Sequence, residues 1–109
     1  MNWRVEYLPE AHDDLRKLDG SQRLLVRKAI EKVSKNPLSA SEGGYGKPLG
    51  NKGTTNLSGF LKIKLRNAGL RVVYQVIRSD NGMLVIIIGA RSDDEVYEEA
   101  RRRIERNNL

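Results

Sequence analysis

The run Phe60-Leu61-Lys62-Ile63-Lys64-Leu65-Arg66-Asn67-Ala68-Gly69-Leu70-Arg71-Val72-Val73-Tyr74-Gln75-Val76-Ile77 decides the fold of this chain. Its opening part alternates apolar and cationic side chains with the period of a β-strand, so Lys62, Lys64 and Arg66 fall on one face and Leu61, Ile63 and Leu65 on the other. Asn67-Ala68-Gly69 is a turn signal, and Arg71 to Arg78 reads as a second strand. An even-numbered connection pairs Arg66 with Arg71 and keeps Arg71 on the cationic face, whereas an odd one turns its guanidinium into the core. Burying an unpaired guanidinium is costly enough that the even register is expected. Val72, Tyr74 and Val76 then join Ile63 and Leu65 in the core. One face is expected to serve the core and the other an anion.

Asp80-Asn81-Gly82 is the next turn signal, and Met83 to Ala90 a third strand, so the three strands form an antiparallel meander. Val85-Ile86-Ile87-Ile88 has no polar alternation and reads as a central strand covered on both sides. Upstream, Trp3, Val5 and Tyr7 alternate with Arg4 and Glu6, which predicts a half-buried strand over 2–7. Pro9 suits the first turn of a helix carrying Ala11, Leu15 and Leu18, stopped by Asp19-Gly20. Ser21 is expected to cap a second helix with a stripe of Leu25, Val26, Ala29, Ile30 and Val33, ended by Asn36-Pro37. Residues 38–56 contain Gly43, Gly44, Gly46, Gly50 and Gly53 and read as a long glycine-rich loop, a mobile flap beside the cationic face. Ser92-Asp93-Asp94-Glu95 matches a capping box opening a last helix that runs to about Arg106. Its buried stripe is Val96, Ala100 and Ile104, with Tyr97 at the edge, free to show its ring to solvent or a ligand. The whole is one α+β domain over residues 1–109: an N-terminal strand, a helical hairpin, a three-strand antiparallel meander and a C-terminal helix.

Charge is concentrated in one segment. From Lys47 to Arg78 there are seven basic residues and no acidic one, so within a net charge of +6 the rest of the chain carries −1. A basic stripe of this kind suits a nucleic acid, whose phosphates it neutralises with release of counterions, or else is a plain solvated face. No apolar run is long enough to cross a bilayer, and no secretory leader pattern opens the chain. With no cysteine there is neither disulfide nor thiolate metal site, which fits the reducing cytoplasm. Gly46-Lys47 misses the phosphate-loop spacing, since residue 41 is serine and Pro48 follows the lysine.

His12, the single histidine, lies among Asp13 and Asp14 with no second titrating partner in view, and reads as a surface residue. No histidine cluster or spaced carboxylate pair supports a metal, nucleophile or glycosidase site, and Asp93, Asp94 and Glu95 are explained by the helix N-terminus. Any catalysts are therefore basic. RNA cleavage permits that: the 2′-hydroxyl must lose a proton and attack the adjacent phosphorus in line, while the pentavalent charge and leaving oxygen are stabilised. A lysine is a poor base near its free pKa of about 10.4, and cationic neighbours disfavour its ammonium form. Arginine stays charged and suits a phosphorane, and an exposed tyrosine can stack on a base.

The run from Phe60 to Ile77, with Gly89-Ala90-Arg91 and Glu95-Val96-Tyr97 after it, resembles the RelE toxin branch of the RelE/ParE superfamily over nearly the whole chain. The resemblance implies a type II toxin: a ribosome-dependent endoribonuclease that cuts messenger RNA in the ribosomal A site, needs no metal or nucleotide cofactor, and is neutralised by a RelB-like antitoxin. It further implies Lys64 as general base, Lys62 and Arg71 as stabilisers of the phosphorane, Arg91 as partner of the leaving 5′ oxygen, and Tyr97 as a stacking platform for the codon. Arg66 would bind phosphate. Where such toxins carry a further arginine before the glycine that precedes the meander, this chain has Leu49-Gly50, so Lys47 or Lys52 would substitute in binding RNA. Arg101-Arg102-Arg103 and Arg106 would meet acidic antitoxin residues, ribosomal RNA or solvent. Two other readings of the same residues are a ParE-like gyrase inhibitor and a noncatalytic module for ribosomal RNA.

Overall fold

A computed structural model describes residues 3–52, 55–89 and 93–109, without the side chains of 50–52, 55–58, 93 and 94. The elements run β1 (Arg4–Tyr7), α1 (Pro9–Lys17), α2 (Gly20–Val33), β2 (Lys47–Lys52), β3 (Thr55–Leu65), β4 (Leu70–Ile77), β5 (Gly82–Gly89) and α3 (Asp93–Arg106). The strands form one sheet in the order β1-β5-β4-β3-β2. The meander is the antiparallel part, and β1 adds to β5 in parallel, Arg4 opposite Gly82 and Tyr7 opposite Val85.

The expected α+β class holds, with one strand more than the sequence announced. The supposed loop at 38–56 is mostly ordered secondary structure: a single 3₁₀ turn at Ala40–Glu42, then β2 and the start of β3. Within β2, Pro48 is tolerated because the strand is at the sheet edge, where a missing N–H breaks no ladder bond on the open side. Before it, the chain is pinned across the sheet. Tyr74 donates its hydroxyl to the carbonyl of Pro37 at 2.7 Å, and Gly46 lies directly beneath that bond. A flap is therefore not what this segment forms. Gly53 lies outside the described residues.

The first hairpin keeps the expected parity but slips by two residues. Lys64 faces Arg71 and Leu65 faces Leu70, leaving the four residues Arg66–Gly69 as the connection, with Gly69 at φ +67. Arg66 therefore leaves the sheet instead of pairing with Arg71. The turn closes through a 3₁₀ turn and a left-handed glycine, and this register puts Gly69, not Leu70, at the left-handed position that closes it. The second hairpin repeats the design with Asn81 at φ 52.

Ser21 is not the cap of α2. Asp19 takes that place, its carboxylate accepting the Gln22 N–H at 2.8 Å while the Gln22 side chain accepts the Asp19 N–H. The helix thus begins one residue before Ser21. Its buried stripe is Val26, Ile30 and Val33, while Leu24 and Leu25 are 53% and 49% exposed, so Leu25 is not in the core. The expected cap of α3 at Ser92 lies outside the described residues.

Both faces of the sheet carry core. Val72 and Val73, adjacent on β4 and pointing to opposite sides, are both fully buried, as are Val85 to Ile88 nearly throughout. The helix α2 lies toward the Ile63 and Leu65 face, and α3 covers part of the opposite one with Val96, Tyr97 and Ala100. The division into a core face and an anion face is accordingly too simple. Lys62 and Lys64 stand at the margin of a second apolar layer, and each is half-buried.

Candidate functional site

The register brings the cations together. Lys64 on β3 is opposite Arg71 on β4, and Arg71 is opposite Gly89 on β5, so one row crosses three strands at about 5 Å per step. One row along, Lys47, Lys62, Val73 and Ile87 are successive partners. The residues of the two rows point to the same side of the sheet. A Cβ placed on Gly89 would meet Val96 at 3.5 Å, which sets the first turn of α3 over the end of the first row. The spacing of these positive charges is thus set by backbone pairing and not by long flexible stems alone.

Tyr97 differs most from its expected setting. It is 5% exposed, turned inward beside Val96 and Ala100, and its hydroxyl accepts a hydrogen bond from the Lys62 ammonium at 3.1 Å. The same ammonium lies 5.6 Å from the ring centroid. The ring is hidden because the cationic side of the sheet is also a packing surface, which a helical wheel of α3 alone does not disclose. With α3 in this position Tyr97 orients Lys62 and presents no face for stacking.

Arg66 is exposed in the turn after β3, where it lines a recess of about 320 Å³ with Lys64, Leu65, Gly69, Leu70 and Arg71. Three cations thus converge on one concave, mostly polar hollow beside the row. Lys47 is exposed opposite Lys62 and extends the basic surface to the sheet edge. Lys52 is not brought there: it pairs with Thr55 at the far end of β2, about 17 Å along the strand from Lys47. Its side chain, and Arg91 altogether, lie outside the described residues. A larger cleft of about 520 Å³, lined by Leu38, Phe60, Leu61 and Val76 with the Arg78–Glu42 ion pair at its rim, sits at the other end of β3 and β4, away from this chemistry.

The arginines of α3 turn out to be engaged with acids of the chain itself. Arg101 pairs with Glu98 and Glu105, Arg102 with Glu99, and Arg106 with Glu10 and Glu99. Arg103 is only 8% exposed and binds Asp14 and Glu99. Burial pushes the Glu99 carboxyl upward, but hydrogen bonds from Arg103 and Arg102 outweigh it and hold the group below its ordinary range. The internal role of Arg103 was legible in principle, since Val96, Ala100 and Arg103 share one helical stripe and Asp14 lies beside Ala11 and Leu15 on α1. Among the described residues no group of histidine or acidic side chains is arranged to hold a metal ion, and no helix is long and apolar enough to cross a membrane.

A family model describing the ParE toxin of the parDE type II toxin-antitoxin system matches residues 5–95. The chain is 33% identical over 104 residues to the mRNA interferase toxin RelE of Escherichia coli K12, covering 95% of this chain and 99% of that one. It is also similar to a solved structure of an E. coli RelE arginine mutant in the free state, with a TM-score of 0.71, 31% identity, and coverage of 95% and 99% of the two chains. A RelE mutant bound to a peptide of the antitoxin RelB matches with a TM-score of 0.66 at 30% identity, over 92% of this chain and 95% of that one.

Proposed function

The chain belongs to the RelE/ParE superfamily of type II toxins, and on that premise we propose that it is an mRNA interferase: a metal-independent endoribonuclease that cuts messenger RNA in the ribosomal A site and so stops translation. The observation that carries this reading is the convergence of Lys62, Lys64 and Arg71 from adjacent strands on one corner of the sheet, with Tyr97 hydrogen-bonded to Lys62. In the proposed reaction Lys64 removes the 2′-hydroxyl proton. Arg71, one strand away, and Lys62 stabilise the negative charge that develops on phosphorus, and Arg91 serves the departing 5′ oxygen. Electrostatics of this type is worth most where water is excluded, and half-burial of Lys62 and Lys64 against the second apolar layer favours that.

Tyr97 acts here through Lys62, whose ammonium it turns toward the row. Stacking of its ring on a codon would require the first turns of α3 to lift. Lys47 and Arg66 bind phosphates along the approaching strand, with Lys52 further along β2 in its path, and ribosomal RNA is met by the same basic surface. A RelB-like antitoxin is the cognate partner, and the cytoplasm the place of action.

Primer-extension mapping on a translated message, with and without ribosomes, tests the reading. Cuts are expected only with ribosomes, and Lys64→Ala and Arg91→Ala are expected to abolish them while ribosome binding persists. Full cleavage by both variants would refute the assigned roles. The match to the ParE model favours a second reading, inhibition of DNA gyrase, because relatives on one fold can act on different targets. Inhibition of supercoiling by the wild-type chain, with no message cut, would establish it instead.

A further inference from the structure

We propose that Arg103 is a positioning residue for the cationic corner: with Asp14 it clamps α3 to the open edge of β5 and thereby holds Tyr97 against Lys62. The inference rests on the proposed nuclease reading for its kinetic consequence, though not for its structural one.

The clamp occupies a gap in the sheet. The pairing of β1 with β5 covers only Gly82 to Val85, so the edge of β5 beyond Val85 has no strand neighbour on that side among the described residues. The β4–β5 register also shifts there, between Val73 and Tyr74. Backbone groups left in such a place must be satisfied by something else. The Asp14 carboxylate accepts the Ile88 N–H at 3.0 Å, and Arg103 donates to the Ile86 carbonyl at 3.0 Å. The two side chains join each other twice, at 2.6 and 3.2 Å, and Arg103 Nε reaches Glu99 at 3.1 Å. One carboxylate from α1 and one guanidinium from α3 thus stand where a strand would have been.

Energetics argue that the purpose is geometry. A buried ion pair recovers in attraction little more than its desolvation, and apolar residues of similar volume commonly serve stability as well or better. Its directional bonds fix what apolar packing leaves loose, namely how far α3 slides and rolls on β5. Burial alone would lower the Arg103 pKa, yet Asp14 and Glu99 raise it above its ordinary value, so the guanidinium is held charged in place. Tyr97 is six residues before Arg103 on the same rigid helix, about 9 Å along its axis. A roll or slide of α3 therefore carries directly to the 3.1 Å contact with Lys62. Arg106 and Asn107, which both reach Glu10, extend the same polar seam one turn further and cannot replace the two bonds to β5.

The test combines an apolar replacement with a conservative one. In Asp14→Leu/Arg103→Met the seam keeps its volume and loses its direction; in Arg103→Lys the charge stays and the fork is lost. Three readouts are taken on the full chain: the urea midpoint, the NMR signal of the Lys62 ammonium as reporter of the Tyr97 contact, and kcat and KM for message cleavage on programmed ribosomes. The apolar pair is expected to lower the midpoint, since the Ile88 N–H and the Ile86 carbonyl lose their partners, and, while still folded, to lose the Lys62–Tyr97 signal and to lower kcat about tenfold or more with KM within about twofold, since small misplacements act on the reacting geometry. Arg103→Lys is expected to fall between it and wild type. Retention of the Lys62 signal and of full kcat in either variant would overturn the proposal, and so would an unchanged signal in Arg103→Lys should the apolar pair fail to fold. If the wild-type chain cuts no message, the nuclease reading fails while the Lys62 signal still decides whether the clamp exists.

Discussion

Replacing Gly46 by alanine places a methyl group where the structure has none to spare. The new Cβ would lie 2.3 Å from the Tyr74 hydroxyl oxygen, 2.6 Å from a Leu61 methyl and 2.9 Å from the Pro37 carbonyl oxygen. Leu61 and Tyr74 are pinned by their strands, and the carbonyl belongs to the backbone, so relief must come chiefly from Tyr74 withdrawing its hydroxyl. That breaks the 2.7 Å bond to Pro37 in a fully buried place. Burial raises the Tyr74 pKa, so the phenol is a neutral donor at any working pH and its loss is not mitigated by ionisation. Leaving a buried polar group unpaired costs about 1–3 kcal/mol. Overpacking adds about 1–3 kcal/mol. The sum, about 2–6 kcal/mol, is a large part of the 5–15 kcal/mol or so that holds a domain folded. Urea unfolding at neutral pH measures it, with Tyr74→Phe and the double variant completing a cycle. Tyr74→Phe alone is expected to cost about 1–3 kcal/mol. The double variant should be more stable than the sum of the singles predicts by about 1 kcal/mol, because the phenylalanine removes the atom that clashes most. A Gly46→Ala chain within about 0.5 kcal/mol of wild type, or strict additivity in the cycle, would refute the reasoning.

Three further outcomes follow from other elements. Asn81→Ala should lower stability by about 1 kcal/mol, because φ 52 is a left-handed conformation, while Asn81→Gly should be neutral or slightly stabilising; thermal unfolding separates them. Asp19→Ala should weaken α2, and the loss should depend on pH: the Gln22 N–H and the Ser21 hydroxyl hold the carboxyl below its ordinary pKa, so its contribution is complete above about pH 4 and disappears as pH falls through the lower folded value. Urea midpoints of wild type and variant should therefore converge in acid. Met83→Ala, at a fully buried position, should cost about 2–5 kcal/mol by urea unfolding, and a change under 1 kcal/mol or so would show that the core under α1 collapses to fill the space.

What was readable in the sequence was whatever repeats with the period of its own element. The strand from Phe60 to Leu65 alternates, the helices carry stripes, and the cost of burying Arg71 fixed the hairpin parity without coordinates. What was not readable depends on partners distant in sequence. Lys47–Lys52 has proline and glycine in place of alternation, and is a strand only because β3 offers it an edge. Leu25 fits the stripe of α2, but it sits at the rim of an open recess beside Leu65 and the Arg66–Ala68 turn, and stays half in water. Tyr97 and Arg103 lie on α3 as the periodicity says. Their burial comes from the second face of the sheet and from Asp14; within the Arg-Arg-Arg run the stripe of Val96 and Ala100 singles out Arg103, but not the distant partner that lets it turn inward. At the site, the sequence supplied Lys62, Lys64 and Arg71 through strand parity; it could not supply the orientation of Tyr97 toward Lys62, which is a tertiary contact.

The parallel pairing of β1 with β5 sets a timetable for assembly. Arg4 precedes its partner Gly82 by 78 positions, and the strand between β1 and β4 is the last of the five to emerge. Until then the helical hairpin that follows β1 lacks the strand on which α1 chiefly packs, and the clamp of Asp14 waits longer still, for Arg103. The meander can close early through its two short turns, but the aligned Lys62–Tyr97 pair is completed only by α3. The contact between Lys62 and Tyr97 is thus among the last parts of the fold that the chain can finish.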